Sequence, residues 1–518
     1  MLKASLNVIA RFLIVSAFTF FITTPVLAMP AFPGAQGFGS ESVGGRGGKV
    51  IEVTNLNDSG PGSLRDAVET QSGPRIVVFT VGGVIQANSV IYVKNPFITI
   101  AGQTAPGNGI VVKGSPFFIR THDVIIRGMK MRIGDQAGAK SSDRDGITVW
   151  GDSSHQVYNV IVDHNSITWA VDENTSVYDE SNNANTVTFS WNIIAEALYC
   201  SIHLDEDGTT GCHSMGMLIQ SPKGNISVHH NLFASNNDRN PAIQGGNVEV
   251  VNNVIYNWGI HGTKISGGNL HALGNTYLNT SNSSKWVGPG VTGIHCEGSP
   301  GKIYAQGNVG PGGADWSTVA CTGSLASSVK STAPVFTGSG VSISSAEQSY
   351  TDIMDRAGAK RDAIDSRILG YVSSRSKPTS SKWILDGQGE VGGNWDLYQS
   401  AVRNDDADKD GMADSWEQAN GGNLSPTATA PSGYTWVEEY INSFFPVSGI
   451  ATQVVTAPVT PKLGDANASS TVDEEDYLVW KNTYLTKPLS SGVQNGDFNK
   501  DGIVDGVDYM IWINNYGK

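Results

Sequence analysis

The chain has 518 residues, of which 61 are glycine and only 16% are charged, and its formal net charge is −14. That composition argues against long helices and for many short strands joined by tight turns. The acid is unevenly spread: residues 401–518 carry 17 acidic against 7 basic side chains, or −10 of the −14, which makes nucleic acid an unsuitable partner.

Lys3 and Arg11 precede an apolar run from Phe12 to Ala28 that ends in Val26-Leu27-Ala28. A basic start, a short apolar stretch and small residues at its end predict a signal peptide over residues 1–28. A membrane anchor would need a longer run and no Pro25 near its end. The expected product is secreted and extracellular, with no membrane association after cleavage. The four cysteines fall as two close pairs, Cys200/Cys212 and Cys296/Cys321. In an exported protein an even count suggests disulfides; three pairings are open, and the two local ones are favoured.

Residues 29–345 read as one repetitive domain. Ser63-Leu64-Arg65-Asp66 has the pattern of a capped helix start, suited to covering the first coil of a stack. Short strands follow at Phe97-Ile98-Thr99-Ile100 and Val124-Ile125-Ile126-Arg127. From there an asparagine recurs after each alternating strand, at Asn165, Asn192, Asn231, Asn253 and Asn275, in steps of 27, 39, 22 and 22 residues. A period near 22 with several strands per period is the signature of a solenoid, and its unequal steps place loops on one face. The stacked asparagines are expected at one turn, bonded along a ladder.

Beyond residue 345 the texture changes. Tyr350–Val372 and Tyr434–Phe445 read as helices within an extension over 346–446, residues 447–462 as an extended linker, and 463–518 as a separate module. Asp406, Asp408, Asp410, Gly411, Asp414 and Glu417 occupy positions 1, 3, 5, 6, 9 and 12 of a calcium-binding loop. Two further loops lie 32 residues apart in the last module. One uses Asp465, Asn467, Ser469, Asp473 and Asp476, with Ser470 in place of glycine; the other uses Asp497, Asn499, Asp501, Gly502, Asp505 and Asp508. Each leads into an aromatic helix, Tyr477-Leu478-Val479-Trp480 and Tyr509-Met510-Ile511-Trp512. This duplicated pattern resembles type I dockerin modules, a resemblance that implies calcium-dependent folding and docking to a cohesin on a scaffold protein.

The stretches Ala31-Phe32-Pro33-Gly34-Ala35-Gln36-Gly37-Phe38-Gly39, Gly44-Gly45-Arg46-Gly47-Gly48, Asn55-Leu56-Asn57-Asp58-Ser59-Gly60-Pro61-Gly62-Ser63-Leu64-Arg65, Thr99-Ile100-Ala101-Gly102-Gln103-Thr104-Ala105-Pro106 and Val254-Ile255-Tyr256-Asn257-Trp258 resemble the family 1 polysaccharide lyases, the pectate lyases. The resemblance implies a mainly β fold, a right-handed parallel β-helix followed here by a small α-helical calcium-binding domain. It also implies β-elimination of α-1,4-linked galacturonate with Ca2+ as cofactor, in polysaccharide catabolism.

The residues allow a reading of their own. An acidic enzyme and an acidic polymer need a bridging cation, and carboxylates that hold calcium supply one. The resemblance makes Asp145, Asp172 and Glu173 the expected ligands, with Asp143 behind them, while Asp163 reads as structural. It places Arg239, in Asn236-Asn237-Asp238-Arg239-Asn240-Pro241, as the base. The alternative role for Arg239 is to grip the sugar carboxylate, since arginine normally stays protonated. The family usually carries further basic residues after that proline, where this chain has Ala242, Ile243 and Gln244. Lys223 and Lys264 are the candidate second cations for substrate binding, with His213 or His203 assisting. The loop 199–213 is expected beside the cleft. A monomer is expected. The rival readings are a glycan-binding β-helix without activity, an alginate lyase, and a galacturonan hydrolase with paired carboxylates and no calcium requirement.

Overall fold

The computed structural model describes residues 29–205, 207–278, 280, 292–321, 324–393, 395–446, 466, 472–484, 496–499, 503–504 and 506–516. The expected signal segment and linker, Asp465, Asn467, Ser469, Asp501, Asp505 and the side chain of Asp143 lie outside these. The chain divides into two units, one reaching to Ala428 and taking in Thr435–Phe445, the other made of Thr429–Tyr434 and Pro446–Lys518.

The first unit is a parallel β-helix. Each coil gives one short strand to each of three faces, as in Ile91–Val93, Ile98–Ala101 and Ile110–Lys113, followed by Phe117–Ile119, Val124–Arg127 and Lys130–Arg132. Strands of one face pair in parallel, coil on coil. The first and second faces merge where Ala242–Val251 and Thr263–Leu273 run around the corner between them, with a register shift at Gln244. The alternation of each strand turns one side inward. On the second face Val77, Ile100, Ile126, Val162, Phe189, Val228, Val250 and Ala272 stand in register, all buried in one core. On the first face Val93, Ile119, Val149, Val177, Ile219, Ile243 and Ile265 do the same. Each larger aliphatic side chain buried in this way contributes roughly 1.5–3 kcal/mol.

The expected asparagine ladder is present at the turn between the second and third faces. Asn165 Nδ2 donates to Asn192 Oδ1 at 3.1 Å, Asn192 to Asn231 at 2.9 Å, Asn231 to Asn253 at 3.0 Å, and Asn253 to Asn275 at 3.1 Å. It continues to Asn308 at 2.9 Å, one rung beyond the repeat visible in the sequence. The residue ahead of each ladder asparagine is left-handed, with φ of 51° at His164, 55° at Trp191 and His230, and 53° at Asn252. Such φ values are unfavourable for bulky residues. Here the ladder fixes the turn, and the rings compensate by stacking, His164 on Trp191 at 5.8 Å and Trp191 on His230 at 4.4 Å.

The N-terminal coil is covered by a π-helical turn, Asp66–Thr70, which buries Ala67 and Val68. Ser63 Oγ accepts from the Asp66 backbone at 3.1 Å, as the cap pattern predicts. Instead of a continuous helix over Tyr350–Val372 there are two, Ala346–Arg356 and Ala363–Ser374. Asp362 starts the second by accepting from Ile364 N (2.8 Å) and Asp365 N (3.0 Å). Ile353, Ile368 and Val372 pack against Ile193, Leu232 and Val254 of the third face. A further helix, Trp436–Asn442, lies inside the expected span Tyr434–Phe445 and carries a Thr435/Glu438 capping box. The cysteines pair locally, Cys200 with Cys212 and Cys296 with Cys321.

In the second unit, helices Glu474–Thr483 and Gly506–Asn515 close on a core of Val472, Phe498 and Trp512, with Tyr477, Trp480 and Tyr509 partly buried against it. All four aromatics of the two helical motifs thus contribute to the core. Among the described residues no helix is long and apolar enough to cross a membrane.

Candidate active site

Successive coils place chemically useful residues at one position, just ahead of their strands on the first face. Asp145 precedes Ile147–Gly151, Asp172 and Glu173 open Glu173–Asp179, His213 precedes Met215–Gln220, and Arg239 precedes Ala242–Val251. Glu173 is in register with Met215, which bridges to Asp238. The parallel stack therefore aligns residues that are far apart in sequence. They line one cleft of about 770 Å3.

Oxygen atoms of Asp145, Asp172 and Glu173 all lie within 4.8 Å of one another. Asp145 is buried, and burial together with the charge of Asp172 pushes its pKa up to about 7. Its Oδ2 accepts from Thr148 Oγ1 at 2.5 Å and Ser176 Oγ at 3.2 Å, and its Oδ1 from the Glu173 backbone at 3.3 Å. Thr148 and Ser176 stand in register on the outer side of the sheet. The Arg239 guanidinium pairs with Glu173 Oε1. Burial lowers the pKa of Arg239, against the opposing pull of Asp172 and Asp145.

His213 Nε2 meets Asp172 Oδ1 at 2.8 Å, and its ring stacks on His203 with centroids 4.0 Å apart. Burial would lower the pKa of His213, but the hydrogen bond and charge of Asp172, with Asp205 and Asp145, hold it above its ordinary value. His203 lies inside the loop closed by Cys200–Cys212 and His213 directly follows it, so the segment 199–213 forms a wall of the cleft, as its position in the sequence suggests.

The two expected second cations are placed differently. Lys223 lines a separate depression of about 360 Å3 with Gln244, Gly246 and Asn269. Lys264 is in register with Ala242 and pairs with Glu297 at 3.0 Å. Beside it, His261 and His295 stack at 4.4 Å, and Asp238 Oδ1 holds His261 Nδ1 at 2.9 Å. Nothing in the spacing of these histidines marked them, because only coil stacking brings them to Lys264. Asp163 is a buried structural anchor, accepting from Arg127 Nε (2.9 Å), His164 Nδ1 (2.6 Å) and Ser190 Oγ (2.7 Å).

The acids of the extension converge in two overlapping groups, Asp406 with Asp408 and Asp414, and Asp408 with Asp410 and Glu417. Asp410 Oδ2 is buried without a hydrogen-bond partner, and burial with the charges of Glu417, Asp408 and Asp406 raises the Asp410 pKa to about 6. Both observations fit a loop whose acids hold a cation. In the second unit Asp476, Asp497 and Asp508 are fully buried. Asp476 Oδ1 accepts from Ala466 N and Asp508 Oδ1 from Phe498 N, both at 2.7 Å, so the two loops repeat one geometry. Asp473 and Asn499 accompany them, and the Trp512 indole donates to Asp473 O at 2.8 Å.

Comparison with known proteins agrees with both units. The model of the dockerin type I domain matches residues 463–516. A probable pectate lyase C of Aspergillus flavus is 35% identical over 461 residues, covering 81% of this chain and 95% of that protein. A probable pectate lyase C of Aspergillus oryzae matches with the same identity and coverage. Among solved structures, a pectate lyase from Bacillus sp. N165 in complex with trigalacturonate aligns with a TM-score of 0.44 and 20% identity, over 63% of this chain and 99% of that one.

Proposed function

The chain belongs to the pectate lyase family, and from that premise we propose that it cleaves α-1,4-linked polygalacturonate by calcium-dependent β-elimination in the cleft of Asp145, Asp172, Glu173 and Arg239. The observation that carries this reading is the convergence of three carboxylates on one point, with a partly buried arginine paired to one of them.

An all-oxygen donor set suits a hard divalent cation. Burial first, and then the charge of Asp172, raises the pKa of Asp145, and a cation would oppose both effects, so Asp145, Asp172 and Glu173 fit Ca2+. When bound there, calcium would neutralise a uronate carboxylate and acidify the neighbouring C5 proton. The Thr148 and Ser176 hydroxyls fix the Asp145 carboxylate. His213 fixes Asp172. Arg239 takes the C5 proton, the C4 glycosidic oxygen departs with the electron pair of the broken bond, and a C4–C5 double bond remains. Burial disfavours the charged guanidinium, which is the direction a base requires. No water enters the step, in contrast to paired-carboxylate hydrolysis.

The second unit serves as a dockerin, binding a cohesin-type scaffold protein and depending on calcium for its fold. The Asp406–Glu417 loop holds a further, structural calcium. An extracellular location follows from the polymeric substrate and the expected signal peptide. The test is to incubate the protein with polygalacturonate and calcium and to read the ultraviolet absorbance of unsaturated uronates. New absorbance matching chain cleavage supports elimination. Reducing ends without absorbance would make it a hydrolase, and binding without either product would leave a glycan-binding β-helix.

A further inference from the structure

Asp172 stands at the meeting point of two different donor sets. With Asp145 and Glu173 it forms an all-oxygen cluster. With His203 and His213 it forms a second group, whose donor atoms also lie within 4.8 Å of one another. Two imidazole nitrogens and one carboxylate oxygen are the donors that zinc takes in open sites, where a fourth position is left for water. Imidazole suits zinc and its neighbours in the transition series, whereas calcium takes oxygen alone.

The loop that carries the histidines is braced. The Cys200–Cys212 disulfide closes it, Gly211 N donates to His203 O at 3.1 Å, and His213 N donates to Tyr199 O at 2.8 Å. Both rings are thus held on the wall of the cleft that faces Asp172. His213 Nε2 and Asp172 Oδ1 are 2.8 Å apart, and one proton joins them. His203 is buried, and its Nδ1 has no hydrogen-bond partner. Its Nε2 lies 3.6 Å from Asp205 Oδ1, so a further acid stands beside the group. Among the described residues no lysine or arginine forms an ion pair with Asp172, His203 or His213. The comparable group of His261, His295 and Glu297 differs in this respect, because Lys264 holds Glu297 at 3.0 Å and sets a cation within it.

We propose that Asp172, His203 and His213 form a zinc-type transition-metal site, and that its occupation withdraws Asp172 from the calcium cluster. The site stands on its own geometry, while its effect on catalysis rests on the lyase reading. The metal replaces the proton between His213 and Asp172, which leaves for solvent. Binding swings the two rings out of their stack, 27° from parallel in this structure, so that both turn a nitrogen to the ion. Two divalent cations around one carboxylate repel, so zinc and calcium exclude each other. The cleft therefore responds to the ratio of the two ions, and zinc acts as an inhibitor that calcium reverses.

The experiment titrates zinc into the full chain by calorimetry, for wild type, His203→Gln and His295→Gln. His203→Gln should weaken zinc binding about tenfold or more, since the loss of an outer partner alone costs about that much. His295→Gln should leave it unchanged. Equal weakening in both variants, or weakening in His295→Gln alone, overturns the assignment. The visible spectrum of cobalt bound to the wild-type chain reads the site without a variant. Bands of low-coordinate cobalt with nitrogen ligands support it, and the spectrum of cobalt in an all-oxygen environment overturns it. Initial rates of unsaturated product are then measured against free calcium, with zinc held about ten times above its dissociation constant. Mutual exclusion raises the calcium needed for half-maximal rate by about tenfold and leaves the maximal rate unchanged. A calcium requirement that saturating zinc does not move overturns the coupling. A wild-type protein that forms no unsaturated product contradicts the lyase reading, while calorimetry and the cobalt spectrum still decide on the metal site.

Discussion

Arg239 reaches from its own coil to the Glu173 carboxylate, so the candidate base and a candidate calcium ligand hold each other directly. Calcium entering the acidic cluster would compete for that carboxylate and release the guanidinium toward substrate. Binding of the ion and readiness of the base are thereby linked through one side chain.

Arg239→Lys keeps the charge and loses the planar two-pronged group. Turnover on polygalacturonate is expected to fall by about 10² or more, as for other groups that act in a transition state, with the thermal unfolding midpoint nearly unchanged. Near-normal turnover in the folded variant would move the role to another residue.

Asp163 contributes to stability through a buried pair with Arg127. Its pKa is held well below the usual carboxylate range, burial being outweighed by His164, Arg127 and the Ser190 hydroxyl. A lowered folded-state pKa means stability that is complete above the unfolded value near ~4 and is lost as pH falls below it. Asp163→Ala, which leaves the Arg127 charge uncompensated, should cost about 3–5 kcal/mol in denaturant unfolding at neutral pH. The gap from wild type should narrow in acid. A constant gap from neutral pH down to acid would contradict this.

The Asp406–Glu417 loop makes a prediction whose sign depends on calcium. Without the ion, Asp410→Asn removes a charge from a crowded, partly buried site and should raise the unfolding midpoint. With excess calcium the same change removes a ligand and should lower it. Parallel shifts in chelator and in calcium would rule out metal binding by this loop.

In the second unit, Asp508→Ala removes a fully buried carboxylate that accepts from Phe498 N and Asn499 N. Cohesin binding should be abolished and calcium-induced helicity reduced, because modules this small depend on their metal for folding. Deleting residues 463–518 should leave the rate on soluble polygalacturonate unchanged. A large drop in that rate would make the module part of the catalytic fold.

Much of the fold was legible because the solenoid repeats in the sequence. The ladder from Asn165 to Asn275 follows directly from that repeat. Asn308, 33 residues after Asn275, was not among the asparagines read from the sequence, and the pairing of coils adds it. The candidate calcium ligands were legible as acids that would share a face once coils stacked. What surrounds them was not. Thr148 and Ser176 read as ordinary strand residues until register brings both hydroxyls to Asp145. Lys223 and Lys264 had the right charge, but loop length and pairing with Glu297 decide where such side chains can reach.

The central claim is tested most directly by initial rates of unsaturated product formation measured against free calcium for wild type, Glu173→Gln and Arg239→Lys. Glu173→Gln should raise the calcium needed for half-maximal rate by about tenfold or more, as loss of a charged ligand implies. Arg239→Lys should lower the maximal rate and leave that calcium requirement close to wild type. A rate that persists in excess chelator, or a calcium requirement unaffected by Glu173→Gln, would contradict a lyase centre built on these residues.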